Sequence, residues 1–180
     1  MTRTGFASTP RLKWAIAAVV AGITSVALSA PVMATPPSGR TTQRAGTVTQ
    51  NWCKKVPLAT ITAVLGKKAT KVTPQVGGTS VVCWYTVAKQ DHAVFVRYST
   101  NYTVAKYNAD KKLSQSTGQH PKADSKFAPY QAFSSYVGSA AYGYTYSVTV
   151  LKKSNELQVG ASNSTLAKME ALTKKILPVV

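Results

Sequence analysis

The chain has 180 residues, with 22 Lys and Arg against 5 Asp and Glu, two His and two Cys. A hydrophobic content of 44% supports one packed domain plus an appendage and excludes wholesale disorder. Five carboxylates thin out the mechanisms that need paired acids or a carboxylate-held Mg²⁺.

The N-terminus reads as an export signal. Arg3, Arg11 and Lys13 precede an uncharged run from Trp14 to Ala30. Pro31-Val32-Met33-Ala34 follows, with small residues at the −3 and −1 positions of a cut after Ala34. A retained signal anchor is the competing reading. The run is Ala-rich and at the short end for a span of about 30 Å, and a cleavage-like site follows it. No Cys stands at that site to carry a lipid, and no twin-Arg pair precedes the run, so general secretion is expected. The mature chain, 35–180, keeps 19 basic residues and all 5 acids, for a formal charge of +14.

Thr35 to Asn51 is rich in Pro, Gly, Ser and Thr and reads as a flexible linker, so 52–180 is taken as the folded domain. Pro57 to Leu65 predicts a short helix, with Pro57 at its first position and Gly66 past its end. Leu58, Ile61 and Leu65 share one of its faces. Lys71 to Val76 and Thr79 to Ala88 predict strands around a Gly77-Gly78 turn. Val81, Cys83, Tyr85 and Val87 alternate onto one face of the second. Lys89 to His92 reads as a turn, and Ala93 to Thr100 as a strand burying Val94, Val96 and Tyr98.

Asn101 is the expected cap of a surface helix from Tyr102 to Leu113. Ser114 to Ala128 reads as a polar loop, and nothing is assigned to 129–141. Tyr142 to Leu151 is a clear strand, with Tyr142, Tyr144, Tyr146, Val148 and Val150 on one face. The two valines mark that face as core, although an open tyrosine face could stack sugars or bases. Asn155 turns the chain into a partner strand over Leu157 to Ala161. Ser162 to Leu177 predicts a helix on Leu166, Met169, Leu172 or Thr173, and Ile176, with Lys174 and Lys175 in its last turn and Pro178 as its stop. The whole predicts an α+β fold: an antiparallel sheet with helices packed mainly on one face.

Cys53 and Cys83 allow one pairing, and outside the cytosol that pair forms a disulfide closing a loop of about 31 residues. Cys83 on the inward face would tie the first helix to the sheet. A metal centre would want more Cys or His at short spacing, and His92 and His120 stand alone, so no metal and no cofactor are expected. No catalytic set is visible. There is no G-x-S-x-G elbow, and Asp91-His92 are neighbours that an extended chain points opposite ways. Gly77-Gly78 leads into no phosphate loop. Asp91, Asp110, Asp124, Glu156 and Glu170 are far apart in sequence, so a carboxylate dyad would need the fold to create it.

The stretches WCKKVPLATITAVLG at 52–66, GTSVVCWY at 78–85, VTVLKKSNELQV at 148–159 and LAKMEALTKKIL at 166–177 look like one group of proteins. They resemble small exported actinobacterial domains of unknown function, many of them lipoproteins, with a Cys pair of this kind. The resemblance spans Trp52 to Leu177 and implies no catalytic residues. The absence of a lipobox Cys separates this chain from the lipoprotein members and implies free secretion.

Charge is the positive signal. The doublets Lys54-Lys55, Lys67-Lys68, Lys111-Lys112, Lys152-Lys153 and Lys174-Lys175 are the candidate polyanion-binding residues. The plainer reading is that scattered lysines keep a secreted protein soluble. The expectation is a non-enzymatic basic binding module of the cell envelope or medium. Its partners would be anionic cell-wall polymer, anionic lipid or acidic protein, with nucleic acid bound only non-specifically. The alternative is a secreted inhibitor or effector of one specific protein. N-terminal sequencing of exported material is expected to begin at Thr35; an intact Met1 in the membrane fraction would contradict that.

Overall fold

The computed structural model describes residues 48–180. The expected signal sequence, and the expected linker up to residue 47, lie outside them. The linker ends earlier than its composition suggests: Val48 is buried in the core and a 3-10 helix begins at Gln50. That helix, Gln50–Lys55, buries Trp52 and Cys53, and Trp52 stacks on Tyr98 with ring centroids 4.7 Å apart.

Helix α1 is Leu58–Leu65. Pro57 occupies its N-cap position, one residue earlier than expected, and Gly66 ends it in the left-handed conformation at φ 68°. Strands β1 (Ala69–Gly77), β2 (Ser80–Val87) and β3 (Gln90–Thr100) form an antiparallel meander. The turn between β2 and β3 is tighter than expected, because Ala88 and Lys89 both adopt positive φ and return the chain at once. Helix α2 is Val104–Ser116, capped by Thr103, whose hydroxyl accepts from the Lys106 N–H at 3.2 Å. Asn101, the expected cap, sits instead at φ 56° in the preceding turn.

The stretch read as a polar loop contains structure. It holds the two-residue strand β4 (Lys122–Ala123) and a 3-10 turn at Ser125–Phe127 that buries Phe127. Strand β5 (Gln131–Ser139) follows, then β6 (Gly143–Lys152) and β7 (Asn155–Ser162). Tyr142 therefore lies in the β5–β6 turn, and Lys153 and Ser154, not Asn155, turn the chain from β6 to β7. Helix α3 is Leu166–Ile176, three to four residues shorter at its start than expected, because the Thr165 hydroxyl caps it by accepting from the Lys168 N–H. The α-helix ends at Ile176, just before Pro178, and a separate 3-10 turn over Leu177–Val179 carries the proline.

The seven strands form one antiparallel sheet in the order β1-β2-β3-β7-β6-β5-β4. Register decides its faces. Cys83 opposes Val96, Val96 opposes Val159 and Val159 opposes Val148, so these four share one side. All four are buried there with Ile61 of α1 and Met169, Leu172 and Ile176 of α3. Two helices thus cover this face, cross-linked where Lys168 Nζ donates to the Leu65 carbonyl at 2.8 Å. Each fully buried aliphatic side chain contributes about 1.5–3 kcal/mol relative to exposure. The Tyr85 hydroxyl donates to the buried Val56 carbonyl at 3.0 Å, and burial raises its pKa. On the opposite face, α2 covers a smaller cluster of Tyr102, Tyr107, Phe133 and Leu151.

Cys53 and Cys83 are joined, with Cα atoms 5.6 Å apart. The bridge ties the 3-10 helix at Gln50–Lys55, rather than α1, to β2. No helix among the described residues is long and apolar enough to cross a membrane. The bridge restricts the unfolded chain by a loop of about 31 residues, worth about 3–4 kcal/mol. Replacing both cysteines with Ser is expected to lower unfolding stability by that amount in a denaturant titration. A double variant with the wild-type midpoint would contradict a structural role.

Candidate functional site

All five carboxylates are engaged within the domain. Asp91 accepts from Thr86 Oγ1 at 2.8 Å, and Asp124 caps the turn before Phe127 by accepting from the Lys126 N–H at 3.1 Å. Glu170, on α3, takes Lys126 Nζ at 2.8 and 2.7 Å. Glu156, 1% exposed, receives Arg97 Nε at 3.1 Å, Arg97 Nη2 at 2.5 Å and Ser99 Oγ at 2.8 Å. Asp110 reaches down from α2 to accept from Tyr102 and lies 3.7 Å from Arg97 Nη2.

The fold therefore does bring two carboxylates together, Asp110 and Glu156, around one guanidinium. Burial alone would lower the Arg97 pKa, but the hydrogen bonds and charge of Glu156 outweigh it and the net shift is upward. Burial, and then the hydrogen bond to Asp110 and the charges of Glu156 and Asp110, raise the Tyr102 pKa against the opposing charge of Arg97. This hydrogen-bonded cluster of two carboxylates on one guanidinium ties α2 to the sheet.

Residues 48–180 contain seventeen basic side chains. Arg97 and Lys126 make ion pairs, and the other fifteen, all lysines, make none among the described residues. The doublets do not form one patch. Lys54 and Lys55 end the first 3-10 helix, Lys67 and Lys68 follow α1, and Lys111 and Lys112 ride on α2 over the opposite face. Lys152 and Lys174 do converge, from the end of β6 and the last turn of α3. With Lys126 they line a cavity of about 220 Å³ whose walls include Phe127, Tyr130 and Leu177. Their doublet partners, Lys153 and Lys175, are exposed and do not line it.

Each ammonium in this pocket is placed. Lys152 Nζ donates to the Leu177 carbonyl at 3.0 Å and lies 5.9 Å from the Tyr130 ring centre. Lys174 Nζ lies 5.9 Å from the Phe127 ring centre. The Lys126 pKa is raised, chiefly by its hydrogen bond to Glu170. Lys126 is paired with Glu170, whereas Lys152 and Lys174 make no ion pair among the described residues, an arrangement that favours a further anion. Lys126, Phe127 and Tyr130 had no signal in the sequence, because they fall in or beside a stretch without periodicity.

A second concavity, of about 620 Å³, lies where the loop after α2 meets β5 and β6. Of the tyrosine row of β6, Tyr146 lines it, beside Tyr136 of β5. Val148 and Val150 are fully buried, whereas Tyr144 and Tyr146 are half-buried and Tyr142 is 87% exposed. The expectation of a continuous core face fails past Val148, because α3 begins at Leu166 and no helix covers the far end of β6. His120 stacks on Tyr136 with centroids 4.7 Å apart, and Tyr136 lies 5.8 and 6.0 Å from Tyr144 and Tyr146.

No protein-family model matches the sequence, and no curated protein matches it.

Replacing Arg97 with Met leaves Glu156 buried without its cation, a change expected to cost about 3–5 kcal/mol of stability. Lys126→Met should cost clearly less, since the Lys126 side chain is 57% exposed and water can reach its end of the pair. Paired denaturant titrations of the two variants check this ordering; equal losses would contradict it.

Proposed function

We propose that the protein is an exported, basic, non-enzymatic binding module that adsorbs to anionic polymer or to an anionic surface. The observation that carries this reading is the convergence of Lys126, Lys152 and Lys174 on one pocket whose lining holds no carboxylate, with Glu170 paired to Lys126 alone. Fifteen lysines without ion pairs supply the long-range field that would draw a polyanion towards it. The reading takes the chain to be exported, which the basic–apolar–small N-terminus and the Cys53–Cys83 bridge support. The resemblance to small exported actinobacterial domains supports the same setting.

Mechanistically, the pocket gains by releasing the counterions of the polymer and by bringing its phosphate, sulfate or carboxylate groups onto preplaced ammonium groups. The aryl contacts of Lys152 and Lys174 and the carbonyl contact of Lys152 hold two of the three side chains before ligand arrives, which lowers the ordering cost of binding. Glu170 holds the third.

The test compares two triple variants of equal charge. K126Q/K152Q/K174Q removes the pocket cations, and K54Q/K67Q/K111Q removes three dispersed ones. Binding to inorganic polyphosphate is measured at about 50 mM and about 500 mM salt, conditions that differ strongly in screening. Wild-type protein is expected to bind at the lower salt and to release at the higher. The pocket variant should lose most of the binding and the dispersed variant a minor part. Equal losses, or binding indifferent to salt, would contradict the proposal. A salt-insensitive, stoichiometric complex with one protein would point instead to an inhibitor or effector.

A further inference from the structure

The aromatic cleft stands apart from the lysine pocket in chemistry as well as position. We infer that it is a saccharide-binding subsite, in which the apolar face of a sugar ring packs on Tyr136 and Tyr146. Isolated exposed aromatics are ordinary, but here His120, Tyr136 and Tyr146 line one concavity, and Tyr144 packs against both tyrosines beside it. Its size, about 620 Å³, falls within the range of small-ligand sites.

The angles between the rings select the ligand. Tyr136 meets Tyr144 at 80° and Tyr146 at 42°, and Tyr144 meets Tyr146 at 46°. These planes make a curved apolar wall rather than a parallel slot. The one near-parallel pair, His120 on Tyr136, is closed already at 4.7 Å. A nucleobase stacks best flat on a ring or between two of them and brings a phosphate track that needs several cations. Lys122 is the one cation lining this cleft. A puckered ring with an apolar face and a rim of hydroxyls fits the curved wall better.

The polar lining has the matching character. Gln115, Gln119, Ser134 and Ser135 are neutral groups suited to hydroxyls. Gln119 is held in place, since its Oε1 accepts from Ser135 Oγ at 3.2 Å and Ser135 is in turn bonded to Ser147 at 2.8 Å. That bond uses the Gln119 carbonyl oxygen and leaves both amide N–H donors outside it. The inference does not depend on the polyanion reading, because nothing in this contact set needs a charged ligand.

The experiment is a calorimetric titration with neutral cellohexaose, chitohexaose and mannohexaose at about 500 mM salt, where adsorption through the lysines is screened out. Single-stranded dT12 is titrated in parallel. At least one hexasaccharide is expected to bind. Tyr136→Ala should weaken it by about tenfold or more, the scale of one lost ring stack. Tyr136→Phe keeps the ring and should retain the binding. Tyr142→Ala, on the turn outside the cleft, and K126Q/K152Q/K174Q should leave it unchanged. Tyr136 is 38% exposed, so its Ala variant is expected to melt as the wild type does, and the melting curve is recorded alongside. Failure of all three saccharides to bind, or binding that survives Tyr136→Ala, overturns the inference. Tyr136-dependent binding of dT12 alone would overturn it in favour of nucleic acid. Failure of the wild-type protein to adsorb polyphosphate, with saccharide binding intact, would sink the polyanion reading alone.

Discussion

Every carboxylate of this domain has a partner inside the domain. Two clasp Arg97 beneath α2, one binds Lys126 beside α3, one caps the turn before Phe127 and one closes the turn between β2 and β3. The described residues carry seventeen Lys and Arg against five Asp and Glu, so the acids are far outnumbered wherever they are engaged. The field outside the molecule is therefore positive, whatever the details of each side chain. The clasp at Glu156 adds a structural consequence. A carboxylate 1% exposed is tolerable only while Arg97 and Ser99 stay on it, so this interaction holds α2 against a face of the sheet that is otherwise sparsely apolar.

The two concavities are positioned by the same two elements. Leu166, at the start of the eleven-residue helix α3, lines the aromatic cleft, and Lys174, in its last turn, lines the basic pocket. The helix is about 16 Å long at 1.5 Å per residue. Strand β5 runs beside it in the same way, with Tyr130 just before its start at the basic pocket and Tyr136 near its end at the cleft. Packing α3 through Met169, Leu172 and Ile176 onto the central strands thus fixes both sites at once. The helix is too short to cover Tyr144 and Tyr146, and that shortness is what leaves the aromatic wall open.

Regular alternation made much of the fold legible. Val81, Cys83, Tyr85 and Val87 announced β2 and its inward face, and Leu166, Met169 and Ile176 announced α3. Strand β5 was not legible. Its sequence, QAFSSYVGS, buries Ala132 and Ser134 on one face and Phe133 and Ser135 on the other, so no period of two appears. The cap of α2 was misplaced by two residues because Asn101 and Thr103 are both competent caps, and tertiary context put Asn101 at positive φ. The lysine pocket was half legible. Lys152 and Lys174 stood out as members of doublets, but nothing local says that β6 and α3 end side by side, nor that Lys126 joins them from a turn. The tyrosine row gave the right face and the wrong extent, since coverage by a helix is a property of the assembled layers and not of the strand.

The central claim is that surplus charge acts through one built pocket rather than uniformly over the surface. Lysine side-chain resonances followed by NMR during titration with inorganic polyphosphate test it most directly. The largest perturbations are expected at Lys126, Lys152 and Lys174, saturating before the others move. Perturbations spread evenly over all the lysines, or greatest at Lys54, Lys67 or Lys111, would contradict it.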